Sequence, residues 1–140
     1  MSVEQNKTLC QRFFTEVCNE RKPEVAQEIF SADHRYHDPF IPNVAPGPGG
    51  MNQVIATYQT AFHDAQWMVD EMFTAEGDRV ITRWVGQGTH TAELAGLAPT
   101  GKHVSVSGIW IHQIAEGKIV ASWNVWDAAG LLRQLDVIPS

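Results

Sequence analysis

The sequence predicts an α+β fold in which helices come first, antiparallel strands follow, and a strongly curved sheet wraps over the helices. Three observations lead there. Apolar residues near the start recur at three- and four-residue spacing, and beyond residue 65 the pattern changes to β-branched and aromatic runs. The gaps between those runs suit hairpins and are too short for parallel crossovers.

In chain order, the first helix is expected from Val3 to Glu20, where Leu9, Cys10, Phe13, Phe14, Val17 and Cys18 form one stripe. Pro23 opens a second, short helix, because a missing N–H costs nothing in a first turn; it carries Val25, Ile29 and Phe30 inward and stops near Ser31. Asp33–Phe40 reads as extended, and the Pro/Gly-rich stretch Ile41–Gly50 as a surface loop or lid. A third helix is expected over about Met51–His63, with Met51, Val54, Ile55, Tyr58 and Phe62 on one face. Strands follow at Ala65–Thr74, Arg79–Thr91, His103–Ile114 and Lys118–Asp127, separated by Glu76-Gly77-Asp78, Pro99-Thr100-Gly101 and Glu116-Gly117-Lys118. Ala128–Leu135 closes the chain as a short helix. A curved sheet over one-faced helices leaves a pocket between them. Apolar residues in both parities of several strands predict a covered outer face, most simply a homodimer through the sheet.

The 140 residues suit one domain spanning 1–140. With 44% hydrophobic and 19% charged residues the chain can bury a core and is not disordered. No apolar run reaches the roughly 18 residues of a membrane span. Ten Lys+Arg against sixteen Asp+Glu, a net charge of −6, argue against nucleic acid as partner. The polar start MSVEQNKTLC does not read as a secretion signal. Cys10 and Cys18 lie ~12 Å apart along one helix, beyond disulfide reach, so a cytoplasmic setting is expected.

No phosphate-binding glycine loop, dinucleotide fingerprint, Gly-x-Ser-x-Gly elbow or Cys-x-x-Cys occurs. His34 and His37 lie three apart, and in an extended segment that spacing sends them to opposite faces, against a shared metal. On the last strand, counting back by twos from Asp127 meets Val125, Trp123, Ala121 and Ile119, which reads as a core face ending in a carboxylate. An isolated carboxylate against Trp and Val is costly when ionised and suits proton transfer beside a carbonyl. Asp127 equally suits the N-cap of the final helix, and the two roles are compatible. Val80, Thr82, Trp84, Gly86, Gly88 and His90 share one parity of their strand; Val104, Val106, Gly108, Trp110 and His112 share one of theirs. Trp84, Trp110 and Trp123 are either core residues or the walls of a slot for a flat ligand, and His90 and His112 either structural or catalytic. His37, just before Asp38-Pro39, also suits a turn.

Tyr36-His37-Asp38-Pro39, Trp84-x3-Gly88-Thr89-His90-Thr91, Pro99-Thr100-Gly101-Lys102, and Gly117-Lys118-Ile119-Val120 through Trp123-x3-Asp127-x2-Gly130-Leu131-Leu132-x-Gln134-Leu135 occur in that order. Together they resemble the SnoaL-like polyketide cyclases, a branch of the nuclear transport factor 2-like superfamily. The resemblance implies a cone-shaped α+β barrel, commonly dimeric or higher, that closes the last ring of an aromatic polyketide methyl ester by intramolecular aldol condensation without metal or organic cofactor. It also implies Asp127 as acid/base, with histidines at His37 and His90. Asn124, Trp110, His112 and Ala121-Ser122 depart from the residues usual in relatives, which bears on the substrate more than on the fold. On this reading Asp127 moves the proton, His37, His90 or Asn124 hydrogen-bonds the enolate, and Trp84, Trp110, His112, Trp123 and Tyr58 contact an apolar or aromatic ligand. The alternatives are a non-catalytic binding protein, ketosteroid-type isomerisation, epoxide hydrolysis, or an interaction module using the sheet face.

Overall fold

A computed structural model describes residues 2–139. Helix α1 (Val3–Arg12) begins in a capping box: Ser2 Oγ accepts from the Gln5 N–H at 3.1 Å, and Gln5 Oε1 accepts from the Ser2 N–H at 2.8 Å. The helix continues as a π-helical segment, Phe13–Asn19, whose wider turn keeps Phe13, Phe14, Val17 and Cys18 all buried. A 3₁₀ turn at Pro23–Val25 leads into α2 (Ala26–Ile29). Strand β1 (Phe30–His37) starts earlier than the sequence suggested. Helix α3 (Pro48–Ala61) also starts earlier, with Pro48 in its first turn. Its N-cap is Gly47, at φ 89°, where a Cβ would come within 2.7 Å of the Ala32 carbonyl oxygen.

Strands β2 (Gln66–Ala75), β3 (Arg79–Thr89), β4 (His103–Ala115) and β5 (Lys118–Trp126) form consecutive antiparallel pairs, as expected. The order across the sheet is β1-β5-β4-β3-β2, and β1 joins parallel to β5, so the complete sheet is mixed. At the β4–β5 hairpin, Glu116 and Gly117 both have positive φ, the backbone that a tight two-residue turn requires. Helix α4 (Ala128–Gln134) lies over β4, where the Gln134 amide exchanges two 2.9 Å bonds with the Ser105 backbone.

The helices cover one sheet face, and the core between them includes Phe13, Phe14, Phe30, Met51, Trp84 and Trp110. On β3 and β4 the predicted parities are the ones that face inward. On β5 they are not. The register shifts between Gln113 and Ile114, where Ile114 pairs with Ile119 and Gln113 with Ala121, leaving Val120 as an extra residue. Beyond this bulge the parity inverts: Ser122 and Asn124 are buried, while Trp123 and Val125 are 39% and 65% exposed. Counting by twos assumed an unbroken pleat, and one added residue turned the rest of the strand over.

Candidate functional site

Between α3 and the inner face of β3, β4 and β5 lies a cavity of about 580 Å³, its open mouth included. Val54, Ile55, Phe62, Val104 and Val106 supply much of its wall, and among the described residues no charged side chain lines it. Four of the expected ligand-contacting residues are brought together here: Tyr58, Trp84, Trp110 and Asn124. They are joined by Tyr36 and Trp126, which sequence reasoning did not single out.

The polar groups of the cavity form one continuous line. Trp84 Nε1 donates to Asn124 Oδ1 at 3.2 Å, and Asn124 Nδ2 donates to Tyr36 Oη at 3.2 Å. Tyr36 Oη donates in turn to Asp38 Oδ2 at 2.5 Å, while the backbone N–H of Phe40 donates to Asp38 Oδ1 at 2.8 Å. Asp38 is only 8% exposed, so a carboxylate sits behind a phenol on the wall of an apolar chamber. Burial above all, then the hydrogen bond to Asp38, pushes the Tyr36 phenol up; burial, then the charge of Asp38, does the same to Tyr58. Both therefore remain protonated and able to donate. Tyr58 Oη and Trp110 Nε1 are buried on the wall with no partner among the described residues, leaving two groups for a ligand oxygen. A second cavity of about 380 Å³ lies beyond Trp126 and reaches Asp38 from the other side.

The other expected site residues lie elsewhere. Asp127 is exposed, and its Oδ1 accepts from the Gly130 N–H at 2.8 Å as the N-cap of α4. A Cβ on Gly130 would come within 2.2 Å of Asp127 Oδ2, so the Asp-x2-Gly spacing serves this cap. The expectation that Asp127 faces a dry cavity is not met, because the β5 bulge reverses the strand before it. Trp123, expected at the ligand, stands on the outer face for the same reason, and His37 stacks on it at 5.2 Å and 16°. As the spacing predicted, His34 is buried and His37 exposed.

His90 is fully buried but does not line the cavity; its Nδ1 accepts from the Thr100 N–H at 3.2 Å and its ring lies 5.4 Å from Phe62. His112 is sealed below the cavity, stacked on Trp110 at 5.1 Å and flanked by Phe13 and Phe14. Burial, then the neighbouring His34, holds it down to about 3, so it is a neutral ring. Among the described residues no three His, Cys, Asp or Glu side chains gather as a metal-binding group. Tyr36 and Asp38 carried one signal in the sequence, two polar residues two apart in an extended segment just before a proline.

Solved structures share this architecture along the whole chain. TsrD from Streptomyces laurentii is 25% identical and superposes with a TM-score of 0.86, covering 99% of each chain. IdmH from Streptomyces antibioticus, named as a candidate polyketide cyclase, is 28% identical, with a TM-score of 0.80 over 94% of this chain and 99% of its own. A further candidate polyketide cyclase, from Acidithiobacillus ferrooxidans, is 26% identical, with a TM-score of 0.83 over 98% and 99%. No curated protein matches significantly. The family described as SnoaL-like polyketide cyclase matches residues 8–135. Sequence motifs, the α+β architecture and the apolar cavity thus agree, and this chain belongs to the SnoaL-like polyketide cyclase family.

Proposed function

We propose that this protein is an enzyme of polyketide cyclase type that closes a carbon–carbon ring within a neutral, largely apolar substrate, with Asp38 as proton acceptor acting through Tyr36. The observation that carries this reading is the hydrogen-bonded line from the cavity wall to the buried Asp38 carboxylate. A substrate α-proton passes to Tyr36 Oη as the phenol's own proton passes to Asp38. The enolate carbon attacks a carbonyl carbon of the same molecule, and the new alkoxide recovers a proton by the reverse path. Asn124 and Tyr58 donate to the oxyanion, and donors fixed in a water-poor site contribute about 3 kcal/mol each to such a step. Family membership supports the reaction class, and the absence of charge on the cavity wall supports the substrate class.

The test is a thermal-shift screen of flat polyketide esters, steroids and terpene epoxides, followed by mass analysis of each stabilising compound. An isomeric or dehydrated product formed by the wild type and lost in Asp38→Asn is expected. One feature favours a second reading, a non-catalytic binding protein: no ionised side chain meets the ligand directly. A stabilising compound recovered unchanged would select that reading.

The proposed assembly is a homodimer through the outer sheet face. Register places Phe73, Ile81, Ile111 and Trp123 in one row across four strands, with His37 on the fifth. Phe73 and Trp123 are 49% and 39% exposed in the single chain, large apolar rings on the face proposed to be covered. Trp123→Glu should shift the sedimentation coefficient from dimer to monomer; an unchanged coefficient would refute the assembly. A cytoplasmic setting is kept as part of this proposal, consistent with Cys10 and Cys18 both free and buried. No helix of the described residues is long and apolar enough to cross a membrane.

A further inference from the structure

The geometry points to Trp84 as a positioning residue that fixes the orientation of the Asn124 amide, at the opposite end of the hydrogen-bonded line from the acceptor-only Asp38; its catalytic meaning rests on the reading above. An indole N–H can only donate. Asn124 must therefore turn its oxygen to Trp84 Nε1, at 3.2 Å, and its NH₂ to Tyr36 Oη, at 3.2 Å. With a donor already aimed at it, Tyr36 Oη sends its own hydrogen to Asp38 Oδ2, at 2.5 Å. The second Asn124 N–H has no partner among the described residues and is left for a ligand oxygen. The donor-only indole at one end and the acceptor-only Asp38 carboxylate at the other thus impose the same direction, and the cavity offers a ligand an amide N–H.

The indole is held where it can do this. A Cβ on Gly86 would come within 2.9 Å of Trp84 Cζ3, and one on Gly108, the register partner of Trp84, within 2.8 Å of Cζ2. The ring therefore lies flat over two positions that lack side chains, and its N–H points along the sheet to β5. Alanine at position 86 would lift it, while alanine at 108 would also collide with Trp126 Cβ, at 2.6 Å, and the Val125 carbonyl oxygen, at 2.8 Å. The ligand this arrangement selects is a flat molecule with a carbonyl acceptor and no charge.

Two measurements test the inference, one of them independent of any reaction. In proton NMR the short Tyr36–Asp38 bond should give a low-field, slowly exchanging hydroxyl resonance, identified by its loss in Tyr36→Phe. Trp84→Phe frees the amide to rotate, and Asn124→Asp presents Tyr36 with a second acceptor; both should shift or remove the resonance. Gly86→Ala, which keeps the indole but displaces it, should do the same in case Trp84→Phe folds poorly. The second measurement uses fluorenone and fluorene, a flat ketone and its hydrocarbon counterpart, titrated by intrinsic fluorescence. Wild type should prefer the ketone by about fivefold, the worth of one hydrogen bond, and Gly86→Ala should lose the preference. An unmoved resonance in all three variants, or equal affinity for both probes in wild type, overturns the inference whatever the activity. A shifted resonance and a ketone preference in a protein that turns over none of the screened compounds would uphold it and bring down the cyclase reading alone.

Discussion

Two polar groups lie buried under the same sheet, one residue pair apart on three of its strands. Tyr36, Asn124 and Trp110 belong to the first; His34, Ser122 and His112, two residues away along β1, β5 and β4, belong to the second. In the second, His34 Nε2 lies 2.8 Å from Ser122 Oγ, while neither nitrogen of His112 has a partner among the described residues. The π-helical segment packs its phenylalanine rings against His112, which is fully buried. The first group borders the cavity and ends in a carboxylate with both oxygens occupied. Buried polarity becomes chemistry only where a void adjoins it; sealed under aromatic rings, it becomes a liability in acid.

The largest expected effect tests the cavity side. Asp38→Asn and Tyr36→Phe should each lower kcat by about 10²-fold or more, the usual share of general acid–base catalysis. His112→Leu should leave kcat within a factor of two or three, and an equal loss there would erase the distinction between the two groups.

The sealed side is broken by pH. Burial above all, with the His37 charge second and Asp33 opposing, holds His34 down to about 4; His112 sits near 3, against 6.5 for an exposed ring. The unfolded chain therefore takes up these protons first. Their contribution to stability is complete above about pH 6.5 and declines as pH falls through 4 towards 3. His112→Leu should flatten that decline in Tm measured by calorimetry, and at neutral pH should leave Tm unchanged or raise it, because it removes two unpaired polar atoms. A curve parallel to the wild type would show that the ring does not carry the acid sensitivity.

The smallest effect concerns Asp127. Asp127→Ala removes a helix cap and should cost about 1 kcal/mol in urea unfolding while leaving kcat within a few-fold. A loss as large as that in Asp38→Asn would return the acid–base role to the end of β5.

These contrasts also mark what could be read from the chain beforehand. Helix stripes, hairpin turns and the inner parities of β3 and β4 were legible because each follows from a local period, and Trp84, Trp110 and Tyr58 came with them. Asn124 was reached as a departure from relatives, not from strand parity. Asp127 and Trp123 were misplaced because alternation carries no mark of a bulge, whose position depends on how β4 pairs with β5. His90 completed a parity correctly, but its ring closes onto Thr100 and Phe62 instead of the cavity. Asp38 was hidden by its context: before a proline, a turn role explains the residue equally well.

The extra residue in β5 has one more consequence. Ala121 to Trp126 hold their facing only because Val120 is not paired in step with β4. Deleting that single codon would put Ile119, Ser122 and Asn124 on one unbroken inward alternation, whereas pairing Val120 in step with β4 would drive Trp123 and Val125 into the chamber and turn the pocket inside out.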